Sequence, residues 1–282
     1  MDKRIEYFLN KSRHFPTLPT IYTSLMNVLS NPRSTIQDVT DVISRDQSSA
    51  SKLLKVANSS LFSIQGKINT ISQAVFYLGF NEVKNVLLAL SVMDIFSQIS
   101  NSRSANIVHL WKHSISVGVI SKLLSTRLGL KDSEDFFISG ILHDIGKLFF
   151  LHSFKEEYDN LITEAKDTSR RLIDLEFEKY GTTHDIVGGM LAEKWNLPLS
   201  LRNIIKYHNH GSIIGKTDIL LSTVHISNII SIMMATDILG DVFVPQPNFK
   251  VWSVLKLAPD TLADMNQSIV STTEDAFAIL KI

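Results

Sequence analysis

Cysteine is absent from the 282 residues. Disulfides and thiolate ligands are therefore excluded, and any metal ion must be held by His, Asp, Glu or Asn. Net charge is absent too, because 28 Lys and Arg balance 28 Asp and Glu. That leaves no basic footprint for nucleic acid or an anionic lipid surface, and no run of Lys and Arg supplies a local one. No apolar run reaches the roughly 18 residues that span a bilayer. The start, Met1-Asp2-Lys3-Arg4-Ile5-Glu6, lacks the apolar centre of a signal peptide. The expectation is cytoplasmic residence, without a membrane or nucleic-acid partner. Internal repeats and low-complexity tracts are missing as well. Strict apolar–polar alternation, the mark of a strand, occurs almost nowhere.

What is present is helical spacing. Hydrophobic residues make up 44% of the chain, enough core for one large domain or two small ones. Ser34 with Gln37 forms a capping-box pattern ahead of Ile36, Val39 and Ile43. Asp46 is placed to cap a helix bearing Leu53, Leu54 and Ala57. Thr70 with Gln73 repeats the box, and Gly79 is a C-terminal stop. These short helices predict a first bundle over residues 1–103. A second is predicted over 104–240. It starts with a long helix from Ala105 to Leu128, ended by Gly129. A helix capped by Ser133 carries His143 and Asp144. Further helices fall near 155–180 and 183–195, and one begins after Pro198 and ends near His208. The last, capped by Asp218, runs to Leu239. A loop with Pro245 and Pro247 and two short helices, the first starting near Pro259, fill 241–282. The predicted fold class is all-α, with two packed helical bundles.

The chemistry concentrates in the second bundle. Eight of the nine histidines lie between His109 and His225, and only His14 precedes them. His143-Asp144 sits within the apolar stretch Ile138 to Leu148. Burying an imidazole and a carboxylate unpaired costs several kcal/mol. A divalent ion offsets that cost, since both groups are ordinary ligands. His113 follows Trp111, His184 opens Thr183-His184-Asp185, and His208 follows Tyr207. Each lies on its own predicted helix, and a helical bundle can gather such residues in its core. Each also has a plainer reading. His113 reads equally as a core histidine beside Trp111, and His184 as a helix N-terminal residue. His208 reads as a C-terminal one favoured by the helix dipole, and Lys147 as a solvated lysine at a helix end. His225 and Asn228 share a face, with His225 reading best as a packed polar residue.

The order of these motifs resembles the HD superfamily of metal-dependent phosphohydrolases and, within it, the HDOD domain of bacterial signalling proteins. The marks start with Leu18-Pro19, the stretch Asp46 to Phe62, and Ala74-Val75 with Leu78-Gly79. Trp111 with His113-Ser114, then His143-Asp144, then Glu176 ahead of Tyr180 to His184 continue the series. Trp195 to Pro198, Tyr207-His208 and Val224 to Asn228 complete it. The resemblance implies an HD-like second bundle in which His113, His143, Asp144, His184 and His208 contact metal. It places a final Asp ligand at position 228, where this chain has Asn228, a weaker donor that cannot act as a base. Asp237, further along the helix, is badly placed to substitute. The related HD-GYP phosphodiesterases have a Glu ligand where this chain has His109, and a second histidine where it has Asn209.

Two functions follow from the resemblance. The first is a non-catalytic regulatory or scaffold protein that works by binding signalling proteins, since no receiver, GGDEF or EAL segment is visible. The second is a metal-dependent phosphohydrolase acting on a nucleotide, cyclic dinucleotide or other phosphoester. In that case Asp144 would bridge two cations roughly 3.5–4 Å apart and Lys147 would reach a phosphate oxygen. A third reading is a helical adaptor without metal. The donor set suits iron, manganese, zinc or nickel, and no organic cofactor is expected.

Overall fold

The computed structural model describes residues 1–10, 17–59, 61–62, 64, 66–99, 105–130, 133–234, 243–258 and 260–280. Its elements are α1 (Lys3–Asn10), α2 (Thr20–Leu29), α3 (Ile36–Ser44), α4 (Gln47–Ala57), α5 (Ile71–Ile99), α6 (Ala105–Arg127), α7 (Ser133–Leu142), α8 (Ile145–Ser153), α9 (Lys155–Thr168), α10 (Leu172–Tyr180), α11 (His184–Lys194), α12 (Leu199–Tyr207), α13 (Ile219–Met233), α14 (Phe249–Leu255) and α15 (Thr261–Leu280). Among the described residues no strand occurs, and one isolated antiparallel bridge joins Ile213 and Lys216. The fold is all-α. Asp237, His14, Pro259, the side chain of Ser133 and the segments 101–104 and 235–242, where domain limits were expected, lie outside the described residues.

The chain divides into two compact units. One comprises Met1–Thr17 and Ile99–Ile269, the other Leu18–Gln98 and Val270–Ile282. Bonds from residues 2–9 tie the start of the chain to later helices of its unit. Asp2 N–H donates to Tyr180 O, the Arg4 guanidinium pairs with Glu157 at 2.6 Å, and Lys194 Nζ donates to Leu9 O.

The unit of α2 to α5 has a core of aliphatic side chains, among them Leu25, Val39, Ile43, Leu53, Ala74, Val83 and Leu87. Burying each large one is worth about 1.5–3 kcal/mol. Its helix starts are set by side-chain caps. Thr35, not Ser34, is the N-cap of α3 and forms a reciprocal box with Asp38. Ser34 is diverted because its hydroxyl donates to Val28 O at 2.5 Å. Asp46 caps α4 through Ser48 N–H. Thr70 and Gln73 exchange bonds at 3.3 and 3.2 Å. Within α5, Gly79 has φ +78° and ψ 165°, a break in the helical path. By length and composition Ile71–Ile95 could cross a bilayer, which the sequence reading did not expect. However, 61% of that window is buried inside the fold, and the break at Gly79 interrupts it, so it reads as a core helix.

The other unit is organised around α6, α7 and α13. All three are buried around most of their circumference, α6 and α13 with polar as well as apolar side chains. On α6, Leu110, Ile115, Val117, Val119, Ile120 and Leu124 are completely buried. Helices α6 and α7 approach at Gly118 and Gly140, where a Cβ on Gly140 would lie 2.6 Å from Gly118 Cα. Asp218 caps α13 through Leu221 N–H. The last helix, α15, has 20 residues and is not the short element expected. Its Met265 and Ile269 pack with Ile120, Leu124, Ile226 and Ile230.

Candidate metal centre

His143 and Asp144 are not inside one helix. They form the turn between α7 and α8, and Asp144 has φ −100° and ψ 19°. Successive residues of a continuous helix point about 100° apart. The turn lets both side chains face one interior space, and both are buried.

Asp144 is the hub. Its Oδ2 lies 3.3 Å from His143 Nε2 and 3.7 Å from His113 Nε2. Its Oδ1 lies 3.3 Å from His208 Nε2 and 3.4 Å from His184 Nε2. Each carboxylate oxygen thus faces its own pair of imidazoles, brought from α6, the α7–α8 turn, α11 and the end of α12. The same residues form two overlapping donor groups, His113–His143–Asp144 and Asp144–His184–His208. His184 is as buried as the others.

The ring orientations are fixed by backbone. His143 Nδ1–H donates to Gly140 O at 2.6 Å, and His208 Nδ1–H donates to Ile205 O at 2.9 Å. In the neutral rings each Nε2 then carries a lone pair aimed at a carboxylate oxygen, acceptor against acceptor. Both Nε2 atoms and Asp144 Oδ1 are buried without a hydrogen bond, and Oδ2 has only the Lys147 ammonium opposite it. Such a set needs a cation between its members, so the donors present fit a divalent ion held by nitrogen and oxygen.

The two halves differ in how they are otherwise satisfied. On the Oδ2 side, Lys147 Nζ lies 2.9 Å from the carboxylate, with the lysine buried and not solvated. His113 Nε2 is 2.9 Å from Asn228 Oδ1, and its Nδ1 is 3.1 Å from Ser231 Oγ. On the Oδ1 side, His184 Nδ1 contacts Glu176 Oε2 at 2.7 Å, and Asn209 Nδ2 lies 3.0 Å from His184 Nε2. With no ion bound, burial alone would raise the Asp144 carboxyl, but a protonated His143 ring and the Lys147 ammonium overcome it and hold it well below the usual carboxylate range. Burial pushes His208 down to about 4. Burial would lower His184 too, but the Glu176 carboxylate raises it to about 9.

Some residues have other roles. His225 Nδ1–H donates to His208 O at 2.6 Å, and its Nε2 accepts Asn248 N–H at 3.1 Å. It braces the cluster from outside, as a packed polar residue. His109 is half-buried on α6. Sequence reasoning gave no role to Glu176, Asn209 or Ser231. A cavity of about 90 Å³ reaches the cluster, lined by Arg171, His184, Asn209, His210, Asn228 and Phe243 among others.

An all-α domain built around a buried His–Asp centre defines the class: a helical, HD-like domain. The chain belongs to the HDOD domain family, whose model matches residues 15–211. An HDOD domain protein of unknown function from Geobacter sulfurreducens superposes with a TM-score of 0.82 at 23% identity, covering 98% of this chain and 97% of that one. A candidate signal transduction protein from Marinobacter aquaeolei VT8 gives 0.75 at 18% identity, over 99% of this chain and 61% of that one. A candidate metal-dependent phosphohydrolase from Shewanella amazonensis SB2B gives 0.64 at 16% identity, over 96% and 99%. At these identities the likeness is one of fold. An uncharacterized protein of Treponema pallidum (strain Nichols) is 26% identical over 198 residues, 69% of this chain. The match covers 37% of that relative, so this chain spans little more than a third of its length.

Proposed function

We infer that this protein is a signalling regulator of HDOD type, working through contacts with other proteins, with a metal-binding core that does not turn over a phosphoester. The observation that carries this reading is the 2.9 Å contact between His113 Nε2 and Asn228 Oδ1. A neutral amide stands where a second carboxylate would be needed, and it occupies the donor atom of His113. Lys147 supplies positive charge to the same side of Asp144. Each side of Asp144 therefore keeps one imidazole with no partner at Nε2, His143 and His208, while Asn228 sits at His113 and the Asn209 amide at His184, an arrangement that suits a single ion. A bound divalent ion would supply Lewis acidity and charge there. Asp144, His143, His208 and His184 would hold and orient it.

Size points the same way. A 90 Å³ cavity is small against the roughly 300–1,000 Å³ of sites that enclose small organic ligands. The competing reading, a phosphohydrolase, draws on the bridging placement of Asp144 between two histidine pairs. The two are separated by measuring metal content and hydrolysis of a generic phosphodiester and a cyclic dinucleotide, for the parent and for Asn228→Asp. The expected parent holds at most one divalent ion per chain and shows no turnover. A parent that hydrolyses either substrate at several per second overturns the regulatory reading.

A further inference from the structure

Glu176 is completely buried, at 0% exposure. It lies on α10, eight residues before His184, and the intervening corner returns it to the histidine. Gly181 ends α10 in the left-handed region, with φ +63°. Thr183 takes the N-cap position of α11 yet makes no side-chain cap bond. Its hydroxyl is instead bonded to Asp185. The job of cap falls to Glu176, whose Oε2 accepts His184 N–H at 2.8 Å. The same oxygen accepts His184 Nδ1–H at 2.7 Å. Tyr158 Oη donates to the other oxygen at 2.5 Å. One carboxylate thus grips both the backbone and the ring of one residue.

The consequence lies at the far nitrogen. With Nδ1 holding its proton towards Glu176, Nε2 is the atom turned to Asp144 Oδ1 at 3.4 Å. A carboxylate behind an imidazole fixes its tautomer and ring plane and raises its strength as a donor. We propose that Glu176 is the positioning residue of the candidate metal centre: it holds His184 with Nε2 presented to the ion and Nδ1 protonated. The proposal rests on the reading that the cluster binds a divalent cation. Tyr158 sits behind Glu176 and packs its ring against Phe150 at 5.0 Å, a contact phenylalanine would keep.

The test uses the full chain and zinc, titrated in competition with a chromophoric chelator. Glu176→Gln is expected to weaken zinc binding about 10- to 100-fold, while Tyr158→Phe stays within about threefold of the parent. Equal affinity in Glu176→Gln and parent overturns the proposal. So does an equal loss in both variants, which would make the network a packing element. A second readout needs neither zinc nor a variant. In metal-free parent, a long-range proton–nitrogen NMR spectrum is expected to show His184 Nδ1 protonated, whether the ring is neutral or charged. An unprotonated Nδ1 overturns the proposal even if Glu176→Gln fails to fold. A parent that binds no zinc would sink the metal reading alone, and the NMR result would still decide how Glu176 holds His184.

Discussion

Lys147 Nζ lies 2.9 Å from Asp144 Oδ2, and both side chains are buried. The ammonium is thus a built-in counter-charge for the hub of the cluster. Replacing it with methionine leaves a buried carboxylate short of a cation. Breaking a buried pair in this way costs about 3–5 kcal/mol. Lys147→Met is expected to lose about that much stability in chelator-treated protein, measured by urea unfolding. Added zinc should recover a larger share of stability in the variant than in the parent. Equal stabilities with and without Lys147 would show that the pair does not matter energetically.

Gly146 is where α8 meets α11. A Cβ there would sit 1.8 Å from His184 O and 2.9 Å from Gly188 N, both backbone atoms that cannot swing aside. Gly146→Ala is expected to destabilise the protein by about 1–3 kcal/mol or more. It should also displace His184 and weaken zinc binding. An alanine variant with parental stability and zinc affinity would contradict the geometry.

Gly79 serves as a contrast. Its φ of +78° with ψ 165° is a region essentially reserved for glycine. No atom obstructs a Cβ there, so the penalty is purely conformational. Gly79→Ala is expected to cost about 1–3 kcal/mol yet leave zinc affinity within twofold of the parent. A large loss of zinc affinity would mean that the two units are energetically coupled.

Acid should weaken the metal-free protein through its buried histidines. Burial holds His225 below its ordinary value, and both its nitrogens are committed to bonds that fit the neutral ring. His208 moves the same way, to about 4, again through burial. An unfolded histidine titrates near 6.5. Stability from these groups is complete above that value and is lost as pH falls towards the folded pKa values. The slope approaches about 1.4 kcal/mol per pH unit for each ring. His184, raised to about 9, acts oppositely: its contribution is present below about 6.5 and lost as pH rises through 9. Urea unfolding between about pH 6.5 and 5 isolates the first effect. His225→Asn should show a shallower slope, and stability that rises on acidification would refute the assignment.

Much of this was legible in the sequence because it is local. The boxes at Thr70–Gln73, the caps Asp46 and Asp218 and the stop at Gly79 depend on residues within one turn of each other. The residues that converge on Asp144 could be selected because the order of their motifs resembles the HD superfamily, while burial cost alone singled out only His143 and Asp144. What was not legible depends on tertiary geometry. The turn at His143-Asp144 has no Pro or Gly at the break to announce it. Thr35 rather than Ser34 caps α3 because Val28 O claims the Ser34 hydroxyl. Lys147 looks like a surface residue until the helices around it are placed. Glu176 acquires its role only through the α10–α11 corner.

His113 and Asn228, joined across the cluster, are 115 positions apart in the chain. Synthesis at about 5–20 residues per second separates their appearance by roughly 6–23 s. During that interval α6 exists without α13, and His113 lacks the Asn228 and Ser231 side chains that face its two ring nitrogens. A chain stopped between His208 and α13 carries all four histidines that face Asp144 but leaves the His113 ring without those two partners.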